Sequence, residues 1–128
     1  MKVVFVHTSI KLYWIPRLEA LKKSCEENRF IFSVIEITGN SIVYNFDKSK
    51  SNKYTWWFCL YPTNSTNELS SNVISKSTYK KLSELNPDIV ISGAIPFPCG
   101  AISLRWVNDN KKIIIVFDDV KINNFKRN

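Results

Sequence analysis

Glycine is scarce in this 128-residue chain, limited to Gly39, Gly93 and Gly100. A glycine-rich loop that closes several backbone amides on a phosphate would have almost nothing to be built from. Histidine is scarcer still. His7 stands alone, which excludes a histidine-rich metal site and a histidine relay by count. Cys25, Cys59 and Cys99 are far apart and odd in number, and no Cys-x-x-Cys pair occurs. Neither a zinc site nor a disulfide framework is indicated, and the thiols read as reduced cysteines of a cytosolic protein. Long apolar runs are missing too. The opening Met1–His7 is too short for a secretory signal. The longest uncharged stretch, Ile89 to Leu104, falls short of the ~20 residues that cross a bilayer. Pro96, Pro98 and Gly100 also interrupt it.

What is present is ordinary globular material, with 45% hydrophobic and 23% charged residues. The length suits a single domain able to bury its own core. Eighteen Lys and Arg against eleven Asp and Glu give a net charge of +7, a balance that favours anionic partners. The positive charge is mostly lysine, 14 against 4 Arg, and is spread along the chain in pairs such as Lys22-Lys23, Lys80-Lys81 and Lys111-Lys112. Lysines at solvated helix ends are the plainer reading. No nucleic-acid motif accompanies the charge, so nucleic acid is not an expected partner.

Hydrophobic patterning divides the chain into alternating strands and helices. Lys2–His7 is a β-branched and aromatic run that fits a strand covered on both faces. Thr8–Trp14 is a loop, and Pro16 suits the first turn of a helix. Ile15, Leu18, Leu21 and Cys25 carry that helix to about Asn28. Phe30–Ile37 is a second strand. Thr38 to Asn67 is irregular, with an aromatic cluster at Tyr54, Trp56, Trp57, Phe58 and Tyr61 and a short strand near Thr55–Leu60. Glu68 to Asn86 is a helix with Ile74, Thr78, Leu82 and Leu85 on one face, stopped by Asn86-Pro87. Asp88–Ser92 is another buried strand. The Gly93–Pro98 loop leads into a helix from about Cys99 to Asn110, whose Ala101, Ile102, Leu104, Trp106 and Val107 predict burial most of the way round. Ile113–Phe117 is the last strand, before Asp118-Asp119 and a polar, basic tail. This order predicts one α/β domain, a Rossmann-like three-layer arrangement with a mainly parallel sheet. Lys2–His7 should be central, flanked by the second strand and Asp88–Ser92, with Ile113–Phe117 beyond.

Several phrases in series carry a family resemblance. They are Lys-Val-Val-Phe-Val-His at the start, Asn86-Pro87-Asp88-Ile89-Val90-Ile91-Ser92-Gly93, the run Ile95 to Trp106, and Ile113–Val116 followed by Phe117-Asp118-Asp119. Together they resemble the N-terminal, Rossmann-like half of GT-B-fold glycosyltransferases of the retaining, group 1 kind, over nearly the whole chain. The resemblance implies two such domains facing across a cleft. This half would hold a glycan or lipid-linked glycan acceptor, and the other half would hold the nucleotide sugar. No cofactor is then expected on this chain, and alone it should be inactive. The resemblance also implies a partner at the carboxyl ends of the strands, either a C-terminal GT-B domain or a second copy. The turn that usually carries glycines in the family is here His7-Thr8-Ser9-Ile10-Lys11-Leu12-Tyr13, with none. A non-catalytic Rossmann-like binding or interaction module is the alternative.

Open parallel sheets bind ligands beyond the carboxyl ends of their strands. That rule nominates His7 and Thr8, then Gly93, Phe97 and Gly100, then Asp118 and Asp119. His7 is either a donor to an acceptor oxygen or phosphate, or a strand-end histidine bonded to backbone. The amides of Cys99, Gly100 and Ala101 either receive an anion at a helix N-terminus, or the loop is a rigid connection with Phe97 packed on the core. Cys99 in a first turn should have a depressed pKa. Asp118 and Asp119 either bind sugar hydroxyls or cap the following turn, and adjacent strand residues cannot both face a metal. Trp56 and Trp57 beside Lys53 are an interfacial mixture that fits sugar stacking or peripheral contact with the inner face of a membrane. As an edge strand, the segment would instead put Trp56 and Phe58 on one face and Trp57 on the other. The cleft-side residues expected to be exposed are Ile10, Leu12, Tyr13, Trp14, Ile95, Phe97 and part of Trp56–Phe58.

Overall fold

The computed structural model describes residues 1–10, 14–38, 54–93 and 97–117. Five parallel strands form one sheet: β1 (Lys2–His7), β2 (Ile31–Thr38), β3 (Trp57–Tyr61), β4 (Ile89–Ser92) and β5 (Ile113–Val116). Their order is β3-β2-β1-β4-β5. β1 is central as expected, with Val3 to Val6 buried on both faces, and it runs parallel to β2 and β4. The aromatic segment supplies the edge strand beside β2.

Among the described residues, three α-helices cover the sheet unequally. α1 (Ile15–Glu27) lies on one face, over Val3, Phe5, Phe32, Val34 and Trp57. α2 (Ser71–Leu85) and α3 (Pro98–Asn110) share the other, over Val4, Val6, Ile35, Ile37 and Val90. Each helix starts and stops for local reasons. α1 has proline in its first turn. Ser70 Oγ accepts the Val73 amide at 3.2 Å and caps α2. Asn86 and Lys111 end α2 and α3 in the left-handed region, at φ 47° and 56°.

Several boundaries differ from the sequence expectation. β2 is shifted one residue, because Phe30 still belongs to the α1 terminus and donates to Cys25 O at 2.7 Å. α2 begins at Ser71 rather than Glu68. Glu68 instead closes a short turn by accepting the Ser65 amide at 2.7 Å. α3 is buried along one stripe, Cys99, Gly100, Ser103, Trp106 and Val107, rather than nearly all round. Ala101 is exposed and Ile102 and Leu104 are half-buried. The Trp106 indole donates to Ser83 Oγ at 3.0 Å, tying α3 to α2.

At the opposite end of the sheet, Asp88 joins three elements. Its carboxylate accepts the Lys2 amide at 2.8 Å and meets Lys112 Nζ at 3.6 Å. The Lys2 amide, with a smaller share from Lys112, holds its pKa below the usual aspartate value. As pH falls, the unfolded chain therefore takes up this proton first. The stability Asp88 contributes is present above the ordinary Asp pKa of about 3.9 and is lost as pH drops through the lower folded value. Urea unfolding from pH 7 to pH 3 should show a shallower acid decline for Asp88→Asn than for the parent chain.

Candidate functional site

The chain switches its winding direction between β1 and β4, the place where open parallel sheets hold ligands. His7 ends β1, Gly93 follows β4 and Phe117 follows β5, and the register sets all three on the α1 face. The His7 ring lies 5.8 Å from Phe117, 6.3 Å from Phe5 and 6.4 Å from Trp14, centroid to centroid. Trp14 and Phe117 are 5.3 Å apart. Gly93 is the floor between them. A Cβ there would sit 3.9 Å from His7 Cδ2 and 4.0 Å from Phe117 Cζ, which is ordinary contact. From this cradle an open groove of about 450 Å³ runs between α1 and β4, lined by Phe5, Trp14, Arg17, Leu18, Ile91 and Phe117 among others. The Arg17 guanidinium stands 5.3 Å from the Trp14 ring centroid, within cation–π range.

Thr8 and Ile10, in the described start of the loop after β1, are anchored. Thr8 O accepts three donors: the amides of Ile37 at 3.1 Å and Thr38 at 2.9 Å, and Thr38 Oγ1 at 3.2 Å. Glu36 is fully buried at 0% exposure. One of its oxygens accepts the Ile10 amide at 2.6 Å and the other the Trp57 indole at 3.1 Å. Ile10, expected on the surface, is only 3% exposed because this bond draws it into the core. A backbone donor that a phosphate loop would aim at its ligand is thus spent on the chain's own carboxylate. Glu36 was missed as a site residue. The signal was available, since it is the one charged residue in a mostly apolar strand.

The start of α3 also departs from expectation. Phe97, the residue before the helix, is 59% exposed and does not pack on the core. The Ala101 amide is taken by Phe97 O at 3.0 Å and is not free for an anion. Gly100 is buried in the first turn. Cys99 is buried beside it, with its Sγ hydrogen-bonded to Thr8 Oγ1 at 3.1 Å. Burial pushes the Cys99 thiol up, against smaller opposing pulls from Thr8 and the first-turn amides, so the depressed pKa expected for it is corrected. Burial, with the Glu36 charge across the strand pair, pushes Cys59 up to about 12. Burial also raises Cys25.

The aromatic cluster sorts differently from simple alternation. Trp56 lies in the turn before β3 and packs on the α1 face with Trp57, its ring 5.8 Å from Phe32. Phe58 faces the other way, with Lys81 Nζ 4.1 Å from its ring centroid. Trp57 is buried, so its ring meets neither a sugar nor a lipid. Trp56 is half-buried with Lys22 Nζ 5.8 Å from its centroid. Lys53, Asp118 and Asp119, like Leu12, Tyr13 and Ile95, lie outside the described residues. Among the described residues no cluster of His, Cys, Asp and Glu could hold a metal, and no helix is long and apolar enough to cross a membrane.

No family model matches the chain, and no curated protein matches it. Solved structures do. One is a Listeria monocytogenes protein described as a UDP-N-acetylglucosamine 2-epimerase, with a TM-score of 0.58 and 15% identity over 91% of this chain. This chain spans 30% of that protein's length. Another is the C-terminal domain of a hydrogenase from Pyrococcus furiosus, with a TM-score of 0.58, 13% identity, and coverage of 91% of this chain and 90% of that one. The likeness is one of fold. The chain is a Rossmann-like α/β domain, and its described residues form a five-stranded parallel sheet flanked by three α-helices.

Two outcomes test this geometry. Glu36→Gln keeps the shape but leaves one acceptor oxygen for two donors, so one buried N–H loses its partner. Chemical unfolding should show a loss of about 1–3 kcal/mol. Second, a disulfide exchange reagent at pH 8 should react much more slowly with the folded chain than with the unfolded one. A free thiol titrates near 8.5, and all three here are raised above their ordinary value. A rapidly reacting native thiol would contradict the assignment.

Proposed function

We propose that this chain is the acceptor-side domain of a GT-B-type glycosyltransferase. In this reading it binds a glycan or lipid-linked glycan at the strand carboxyl ends. A second domain would hold the nucleotide sugar, so the chain alone transfers nothing. The observation that carries the reading is the aromatic cradle of His7, Trp14 and Phe117 over Gly93 at the switch between β1 and β4. Aromatic walls with few polar groups suit the apolar faces of sugar rings or the first units of a lipid carrier. His7 and Arg17 supply the polar contacts. The anchored first loop agrees with this division of labour, because it withholds the Ile10 amide from a phosphate. The GT-B resemblance of the sequence and the fold likeness to a sugar-nucleotide epimerase point the same way.

A second reading is a Rossmann-like interaction module without chemistry. It is favoured by the state of the reactive groups, since Glu36 is consumed inside the fold and the Cys99 thiol is buried. Binding separates the two. Tryptophan fluorescence is titrated with N-acetylglucosamine oligosaccharides and with alkyl glycosides below their micelle threshold. Calorimetry is run with UDP-N-acetylglucosamine. The acceptor-side reading expects a saturable change with the saccharides, weakened about tenfold, or 1.4 kcal/mol, in Trp14→Ala. It expects no heat from the nucleotide sugar. Absence of any saccharide response would favour the interaction module, and nucleotide-sugar binding would overturn the proposed division between domains.

A further inference from the structure

Among the described residues β5 is an edge strand without the usual protections within the strand itself. Its residues are Ile-Ile-Ile-Val, and among the described residues it pairs with β4 alone. Natural edges are blunted by a lysine, a proline or a bulge within the strand. Ile113, Ile115 and Val116 are instead 59%, 51% and 44% exposed. The Ile113 amide donates to Asp88 O at 3.2 Å and the Phe117 amide to Ser92 O at 3.0 Å. In a parallel ladder alternate residues bond to the same neighbour. Ile114 and Val116 therefore turn their N–H and C=O groups outward, along the free edge.

The sequence around this edge is complementary to itself when reversed. Lys111-Lys112-Ile113-Ile114-Ile115-Val116-Phe117-Asp118-Asp119 reads basic, apolar, acidic, and its centre is Ile115. We propose that two copies of the chain join through β5, antiparallel, with Ile115 on the two-fold axis, making one ten-stranded sheet. In this register Ile114 and the partner's Val116 exchange both backbone hydrogen bonds, using the groups that face outward. Ile115 meets the partner's Ile115 as the closely spaced, non-hydrogen-bonded pair. Ile113 lies beside the partner's Phe117, an aromatic and β-branched pair of the kind that stabilises sheets. In sequence order Lys111 precedes each strand and Asp118-Asp119 follow it, so the antiparallel register sets basic and acidic flanks against each other, while Lys112 stays with Asp88. Opposite charges thus meet at the seam of two chains that each carry +7 and would otherwise repel. A point-group dimer needs one patch that complements itself, and this strand is such a patch.

The test is sedimentation of the 128-residue chain together with register-specific cross-linking. The parent chain should sediment as a dimer that dissociates on dilution. Val116→Pro removes one outward N–H and leaves the β4 ladder donors in place, so it should keep the native circular dichroism and sediment as a monomer. Under mild oxidation Ile115→Cys should form a covalent dimer, because residues facing each other on the axis lie within the roughly 7 Å between Cα atoms that a disulfide tolerates. Ile113→Cys should not, since the two copies of residue 113 would be roughly 13 Å apart along the strands. The parent chain, with its native cysteines, is the control. A strictly monomeric parent chain overturns the proposal. So does a folded Val116→Pro variant that remains dimeric, or cross-linking of Ile113→Cys as readily as Ile115→Cys.

Discussion

A carboxylate with no exposure to water, Glu36, fixes how the first strand meets the rest of the rim. Its two oxygens hold the Ile10 amide and the Trp57 indole, one from the loop after β1 and one from the edge strand β3. With Thr8 O receiving three donors from the end of β2, Thr8 to Ile10 are drawn down onto the sheet. Burying an ionisable group is costly unless donors replace the lost water. Here the donors come from two different elements, so the cost is offset only when both are docked. The interaction thereby couples the position of the first loop to that of the β3 edge. It also sets the chemical character of the rim. Among the described residues, the switch point presents the rings of His7, Trp14 and Phe117, and the Ile10 amide is turned to the chain's own Glu36.

Unequal helix cover gives the domain its second constraint. α2 and α3 seal one face together, joined by the Trp106 to Ser83 bond. Among the described residues α1 covers the other, over β1, β2 and β3. The row Ile113, Ile115 and Phe117 on β5 therefore continues the groove beyond the reach of α1. Among the described residues, the aromatic cradle and the β5 edge are two ends of one apolar surface. One end has polar groups beside it and suits a ligand. The other has open backbone groups and suits a strand.

Much of the architecture was legible because single residues speak for it. An apolar run on both faces placed β1 at the centre, and Asn86-Pro87 stopped α2 where the left-handed Asn86 ends it. The alternation of strands and helices gave the parallel sheet. His7 and Gly93 were legible as neighbours because both end buried strands of a parallel sheet. Other features depend on contacts that no local pattern encodes. Ile10 looked like an exposed loop residue until Glu36, twenty-six positions later, accepted its amide. Cys99 occupies the first turn expected to ionise it, yet burial against Thr8 outweighs the helix terminus. Trp56 fell on the same face as Trp57 because the strand begins at Trp57, two residues after the expected Thr55, which leaves Trp56 in the turn before it. The exposed face of β5 was hidden for the same reason, since an all-apolar strand reads as buried on both sides until its neighbours are counted.

Hydrogen exchange at the Ile10 amide tests the central claim, that the first loop is held shut from below by Glu36. A loop amide that faces a ligand site exchanges on opening of the loop alone. An amide bonded to a fully buried carboxylate exchanges only when the rim unfolds. Measured by NMR in the absence of any ligand, Ile10 should be protected to the same degree as Ile37 and Thr38, and the Trp57 indole proton should be protected with it. Rapid exchange at Ile10 while Ile37 and Thr38 stay protected would show a loop free to open, and a rim able to offer its amides to a phosphate after all.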